Sequence, residues 1–295
     1  MFTFNTVSPI VGAPAAFVEA AGSVESREFR SGMTGAFVHT LDNALLGLCG
    51  LGYFRLTRDA TILERADYLS HYVRQAPQPR VSILDVGCGS SATLLWLGNI
   101  AERVASYLGV DRNVEGQDGR FENFPICHAF RPVDLDQPWD FGRFDLVGCL
   151  EVLEHIVDDK PVFAKLCSQV APNGRLLMST PSAPFVARMG KLIPGFDRVS
   201  PTQDGDHVRM GYTVDEFRAM AEANGMEILS IDWLSRYEPE ELRHSYNIVS
   251  HPRRLWQNLR HPRSNPEDAW VIGGDPATHA ETYWSVGVYM KRRGA

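Results

Sequence analysis

Two groups of residues in this chain have types and spacings that could do chemistry. The first is Glu151-Val152-Leu153-Glu154-His155. On a helical turn, Glu151, Glu154 and His155 would fall at i, i+3 and i+4 and share one face. Three readings of that face stand open. In one, His155 is a general base oriented by Glu151 or Glu154. In another, the two carboxylates and the imidazole hold a divalent cation such as Mg2+ or Mn2+, which acidifies a substrate hydroxyl. In the third, the acids cap a helix and the histidine packs under a neighbouring loop.

The second group is a glycine turn, Gly87-Cys88-Gly89-Ser90, directly after the apolar run Val81–Val86. Such a turn presents backbone N–H groups to a nucleotide, but the third glycine of a dinucleotide fingerprint is missing, since Ala92 stands there. Asp85, two residues before the first glycine, would repel a pyrophosphate. The same carboxylate suits a ligand carrying an ammonium and a sulfonium. Asp111 ends the next apolar run, where a carboxylate can accept from two ribose hydroxyls. Asp134, with Asp136 competing, is placed to accept from an exocyclic adenine amine. Cys88 and Cys149 read as small apolar fillers beside that ligand.

Strands alternating with helices must carry these residues. Short apolar runs predict strands at 81–86, 107–111, 126–130, 144–149, 175–179, 226–233 and 284–290. Helical spacing predicts helices over 35–51, 59–74, 92–104 and 160–170. Thr213 followed three residues later by Glu216 forms a capping box for a helix through Asn224. This alternation implies an α/β protein: a seven-stranded, mostly parallel sheet with helices on both faces. The seventh strand lacks a preceding helix and is expected antiparallel beside the sixth. In such sheets a ligand binds at the carboxyl ends of the strands, where both groups lie.

Ile83-Leu84-Asp85-Val86-Gly87-Cys88-Gly89-Ser90 resembles the first motif of class I S-adenosylmethionine-dependent methyltransferases. Gly109-Val110-Asp111, Val133-Asp134-Leu135-Asp136, Phe144-Asp145-Leu146-Val147 and Pro172-Asn173-Gly174-Arg175-Leu176 follow in that family's order and spacing. The resemblance covers about residues 80 to 235 and the last strand. It implies a Rossmann-like fold and S-adenosylmethionine as cofactor, held by Asp85, Gly87, Cys88, Gly89, Asp111, Arg112, Asp134, Leu135 and Leu150. Ser91 departs from the pattern, standing where many members have glycine, and is expected to cap the following helix.

The Glu-x-x-Glu-His run is similar to that of ubiquinone-pathway O-methyltransferases and of small-RNA terminal 2′-O-methyltransferases. The latter add a second histidine ahead of the helix before the sixth strand. His207, just before Gly211-Tyr212-Thr213, stands in a comparable place. The resemblance thus implies a metal set of Glu151, Glu154, His155 and His207; otherwise His207 is a loop histidine paired with Asp204 or Asp206. Tyr212 either lines the pocket or starts the helix.

At 295 residues and 44% hydrophobic content, the chain can bury a full core. Two regions are expected: a helical N-terminal extension or lid over 1–79, and a methyltransferase domain over 80–295 with inserts at 182–212 and 235–283. The net charge of −7 favours a small-molecule or lipid-like substrate over nucleic acid, whose binding rests on phosphate contacts. Residues 235–264 nevertheless carry six arginines and three glutamates, with Tyr246 and Trp256 among them. That composition suits an anionic partner, peripheral membrane contact or a solvated loop. Five widely spaced cysteines without a CxxC pattern, and no basic residue before Arg27, point to the cytoplasm without a signal peptide or membrane span. The expected enzyme methylates a hydroxyl of a small or lipid-like metabolite. Its alternatives are an RNA-terminal 2′-O-methyltransferase, a carbon or nitrogen methyltransferase, and a non-catalytic cofactor-binding scaffold.

Overall fold

A computed structural model describes residues 60–200, 207–236 and 270–294. The helix expected over 35–51, most of the arginine-rich insert, Asp204 and Asp206 lie outside the described residues. Strands β1 (Val81–Val86), β2 (Val104–Asp111), β3 (His128–Pro132), β4 (Phe144–Leu150), β5 (Val170–Pro181), β6 (Met226–Arg236), β7 (Trp270–Ile272) and β8 (Tyr283–Arg292) form one sheet. Their order is β3-β2-β1-β4-β5-β8-β6-β7. β1 to β5 run parallel, and β8 enters antiparallel between β5 and β6, as expected of the last strand.

Among the described residues the sheet has eight strands rather than seven. The additional one, β7, comes from the insert and pairs antiparallel with β6. Its three residues, Trp-Val-Ile, favour a strand but are too few to show alternation in sequence.

The helices are α1 (Ala60–Gln75), α2 (Ala92–Leu97), α3 (Gln117–Arg120), α4 (Asp159–Ser168), α5 (Ala183–Gly190), α6 (Val214–Ala223) and α7 (Pro276–His279). α2 is shorter than its apolar pattern suggests. It passes into a 3-10 turn at Gly98–Arg103, Ile100 leaves helical geometry, and Val104 joins β2. Gly98-Asn99 is a poor helix-forming pair, and the break falls there. The Thr213–Glu216 capping box forms as expected. Among the described residues, no helix is long and apolar enough to cross a membrane.

Side chains alternate across the sheet, so neighbours in sequence serve different layers. Ile83 packs with Tyr68, Leu69, Leu94 and Tyr107, whereas Leu84 packs with Val147, Phe163 and Phe217 on the other face. The layer containing Ile83 includes α1. Both Tyr68 and Tyr72 of α1 donate to the buried carboxylate of Asp232 on β6, at 2.7 and 2.6 Å. The visible part of the N-terminal extension is therefore fixed against the sheet.

The strand order reverses between β1 and β4, which are adjacent and in register from Ile83–Leu146 to Val86–Cys149. Crossovers leave those two strands toward opposite faces, and a crevice opens at their carboxyl ends. Gly87 and Glu151, more than sixty residues apart in the chain, both lie at this edge.

Candidate active site

On the β1 side, the backbone itself builds the site. Gly87 and Cys88 both donate to the Val110 carbonyl, at 2.7 and 3.1 Å, which turns the chain tightly off β1. Gly87 has φ +75°, and a Cβ there would overlap the Val152 side chain. Gly89 has φ +50° with open space beside it. These two positions need glycine for different reasons: the first for packing, the second for conformation and a clear approach. Ser91 is also left-handed, at φ 60°, and its hydroxyl does not cap α2. The expected capping role is thus corrected: αL geometry turns this residue away from the β-region conformation that a side-chain cap uses.

Asp111 reaches back to this loop, accepting from Gly89 N and Asn113 N at 3.0 Å each. Asp85 is buried and accepts from the Tyr107 hydroxyl at 2.6 Å. Burial lifts its pKa to about 6, even though the Tyr107 bond pulls the other way. Such a carboxylate is poised to ionise when a cationic ligand arrives. Arg112 binds Asp134 at 3.1 Å and lies 3.5 Å from Asp136, so both acids flank one guanidinium at the end of β2. Leu135 packs at the edge of the core and Leu150 closes β4. Cys88 and Cys149 are buried, and burial pushes both thiols well up, which keeps them protonated.

Two supports of this loop escaped the sequence reading. Gln117 Nε2 approaches the Gly89 carbonyl at 3.5 Å, and Arg120 donates to the Ser90 carbonyl at 2.9 Å. Burial lowers the Arg120 pKa to about 10. A polar four-residue helix carries no amphipathic pattern that would have marked them.

On the β4 side the expected shared face does not form. Glu151 is left-handed at φ 56°, and only Leu153–His155 makes a helical turn, of 3-10 type. The Glu151 N–H still donates to Ser179 O at 2.8 Å, continuing the β4–β5 ladder, so the chain turns sharply after it. The two carboxylates are consequently separated. Glu151 accepts from Ser179 Oγ at 2.9 Å and Trp284 Nε1 at 3.2 Å, and pairs with Arg65 of α1 at 3.3 Å. Arg65, Ser179 and Trp284 come from three distant elements and left no local signal.

Glu154 turns inward. It is 0% exposed, and neither carboxylate oxygen has a hydrogen-bond partner among the described residues. Burial, and then the charge of Glu151, raise its pKa well above the ordinary carboxylate range. His155 Nε2 stands 3.9 Å from it. His207 meets His155 ring to ring, with centroids 4.7 Å apart. Glu154, His155 and His207 each offer one ligand atom, all within 4.8 Å of one another. Glu151 is not part of that group.

The segment bearing His207 is tied to this turn. Val208 N donates to Glu154 O at 2.9 Å, and Arg209 donates to the Ile156 and Val157 carbonyls at 2.7 and 3.0 Å. Arg209 also pairs with Asp159 at 2.7 Å, and the Tyr212 hydroxyl donates to the same Asp159 oxygen at 2.5 Å. Tyr212 is buried on that carboxylate and immediately precedes the Thr213 cap.

A family model described as a methyltransferase domain matches residues 57–231. Among curated proteins, the ubiquinone biosynthesis O-methyltransferase of Idiomarina loihiensis is 33% identical over 107 residues, covering 33% of this chain and 41% of the relative. That of Azotobacter vinelandii is 30% identical over 151 residues, covering 44% of this chain and 60% of the relative. The matches thus span about two fifths to three fifths of those relatives. An S-adenosylmethionine-dependent methyltransferase structure from Clostridium acetobutylicum superposes with TM-score 0.52 at 12% identity, covering 89% of this chain and all of that one. The small RNA methyltransferase HEN1 superposes with TM-score 0.52 at 17% identity, covering 78% of this chain and 25% of that one. At these identities the two structures speak for the fold alone.

Proposed function

The chain belongs to the S-adenosylmethionine-dependent methyltransferases, and on that premise we propose that it methylates a hydroxyl oxygen of a small or lipid-like acceptor, with a divalent cation held by Glu154, His155 and His207. The observation that carries this reading is the Glu154 carboxylate, wholly buried, without a hydrogen bond among the described residues and faced by two imidazoles. A buried carboxylate without partners is costly unless it is protonated or neutralised by a cation. One carboxylate and two imidazoles suit Mn2+ better than Mg2+, which prefers oxygen ligands and sheds water reluctantly.

The residues on the β1 side fit the cofactor. Gly89 leaves its approach open, Asp85 supplies a buried negative charge for an ammonium or sulfonium, and Asp111 stands at the strand end for ribose hydroxyls. Cys88, Arg112, Asp134, Leu135 and Leu150 complete that set. S-adenosylmethionine supplies an electrophilic methyl group, and the cation lowers the pKa of the acceptor hydroxyl. The protein's own task is to hold the oxygen in line with the methyl carbon while the acidified hydroxyl gives up its proton to solvent. With the cation bound, the His155 imidazole has no lone pair left for that proton; without it, His155, one third exposed beside a buried acid, is the group placed to act as base. Glu151, gripped by Arg65, Ser179 and Trp284, serves as a fixed wall of the acceptor side. The names of the curated relatives support oxygen as the accepting atom.

A second reading, 2′-O-methylation at an RNA end, is favoured by one observation: His207 does meet His155. One assay separates the two. Purified protein and methyl-labelled cofactor are incubated with a cell extract, with and without chelator. Organic-extractable label that chelator abolishes and Mn2+ restores is the expected result. Turnover indifferent to chelator would remove the cation and leave His155 as base alone. Acid-precipitable label released by ribonuclease would replace the small acceptor by RNA.

A further inference from the structure

The three candidate ligand residues lie on two segments more than fifty residues apart, and something must fix their relative position. Glu154 and His155 sit on the turn after β4, and His207 on the stretch leading to α6. The bond from Val208 N to Glu154 O joins the two backbones at one point. A single backbone bond is a weak constraint on a side-chain position.

Immediately beyond it stands a denser arrangement. The Arg209 guanidinium donates to two carbonyls of the turn, Ile156 O and Val157 O, and to the Asp159 carboxylate at the start of α4. Asp159 is itself buried and receives the Tyr212 hydroxyl on the same oxygen. The Arg209 guanidinium also lies over the Tyr212 ring, 5.4 Å from its centroid. Gly211 lets the chain pass close to β5. It has φ +103°, a Cβ there would overlap the Pro181 carbonyl, and Tyr212 N donates to that carbonyl at 3.0 Å. The stretch is therefore held to β5 at Tyr212 and to the Glu154 turn at Val208 and Arg209, and His207, whose carbonyl accepts from Ser200 N at 2.7 Å, directly precedes these ties.

We propose that Asp159, Arg209 and Tyr212 are positioning residues, a clasp that sets His207 against Glu154 and His155. This rests on the reading of those three residues as one site, and adds what holds them in register. The guanidinium is suited to the task because its planar fork satisfies two carbonyls and a carboxylate at once, which an ammonium on a flexible stem does not. The hydrogen bonds of these three residues run to the carbonyls of the turn and to one another, so their effect passes through the backbone of 207–209. Residues that orient ligands in this way are commonly worth 10- to 100-fold, by rough precedent, in metal affinity.

The test uses the full chain with Arg209→Gln, and Arg209→Lys as the milder variant that keeps the charge facing Asp159. Three quantities are read: Mn2+ affinity by electron paramagnetic resonance, the rate of His207 modification by diethyl pyrocarbonate from peptide mass spectrometry, and cofactor affinity by calorimetry. The clasp predicts that both variants lose about tenfold or more in Mn2+ affinity and expose His207 to faster modification, with cofactor affinity held within about twofold. Tyr212→Phe, which removes one of two bonds to Asp159, should lie between them and wild type.

The modification rate keeps the two ideas apart. Should wild type bind no Mn2+ while His207 is still protected and then released in both arginine variants, the cation reading fails and the clasp stands. If His207 reacts at the wild-type rate in a folded Arg209→Lys protein, the clasp is wrong whatever the metal does. Loss of cofactor affinity in parallel with Mn2+ would likewise overturn it, because the effect would then be general unfolding.

Discussion

The two sides of the crevice are built on opposite plans. On the β1 side, the acids already have partners: Asp85 has Tyr107, and Asp111 has two backbone N–H groups. On the β4 side, Glu154 is more deeply buried than any of these and has no hydrogen bond among the described residues. The first side comes from one continuous strand–turn–helix and its neighbour strand. The second is gathered from α1, the β4 turn, the start of α4, the 207–212 stretch and β8. A site whose polar groups are satisfied in advance can wait for its ligand without strain. One with a buried unsatisfied acid is completed only by what binds there.

If the two sides are independent, breaking one should spare the other. The largest effect is expected from His155→Ala and Glu154→Gln. Each should lower kcat/KM by roughly 10²- to 10⁴-fold, with cofactor affinity within about twofold of wild type by calorimetry. Equal turnover in His155→Ala would strip that residue of any active role.

Next comes Asp85, through pH. Its folded pKa of about 6 lies above the unfolded value of 3.8, so the folded chain holds its proton more tightly. Its contribution is neutral below pH 4, and stability is lost as pH rises from about 4 through 6. The Asp85→Asn protein without cofactor should match wild type near pH 4. At pH 7 it should be more stable by on the order of 3 kcal/mol in denaturant titrations. A difference that does not vary with pH would show that folding leaves the Asp85 pKa unshifted.

Asp111→Ala should weaken cofactor binding by about 1.5–3 kcal/mol, the range for a hydrogen bond to a charged group, and leave Mn2+ affinity alone. Concerted loss of both affinities would mean that the two sides are one cooperative unit. The smallest effect is expected at the edge of the comparison. Tyr68→Phe removes one of three hydroxyls that donate to Asp232 and should cost roughly 1–2 kcal/mol in global stability, with both ligand affinities intact.

The same contrast explains what could be read from the residues alone. The glycine turn, Asp85 and Asp111 are legible because their geometry is encoded within a few residues by glycine, an apolar run and a strand-end acid. The alternation of strands and helices, the antiparallel last strand and the Thr213 cap are legible for the same reason. The Glu-x-x-Glu-His run misled in one respect. Its helical spacing was overridden by a left-handed Glu151 still bonded to β5, which sends the two carboxylates apart. Arg65, Trp284, Asp159 and Arg209 were not legible as neighbours of that run, since each meets it through tertiary contact from another part of the chain. The strand β7 was hidden by its brevity, and the long break in α2 by apolar spacing that continues past Gly98.

β8 lies between β5 and β6, although both are synthesised before it. Until Tyr283–Arg292 leaves the ribosome, β5 lacks its outer neighbour and β6 has no strand joining it to the rest of the sheet. The nascent chain can complete β1 to β5, and with them the glycine turn, well before Trp284 arrives to bond Glu151. On the assignment proposed above, the cofactor side can form during translation, while the acceptor side is assembled last. A ribosome stalled ahead of residue 283 would carry a chain competent in one half of its chemistry and prone to recruit a foreign strand for the other.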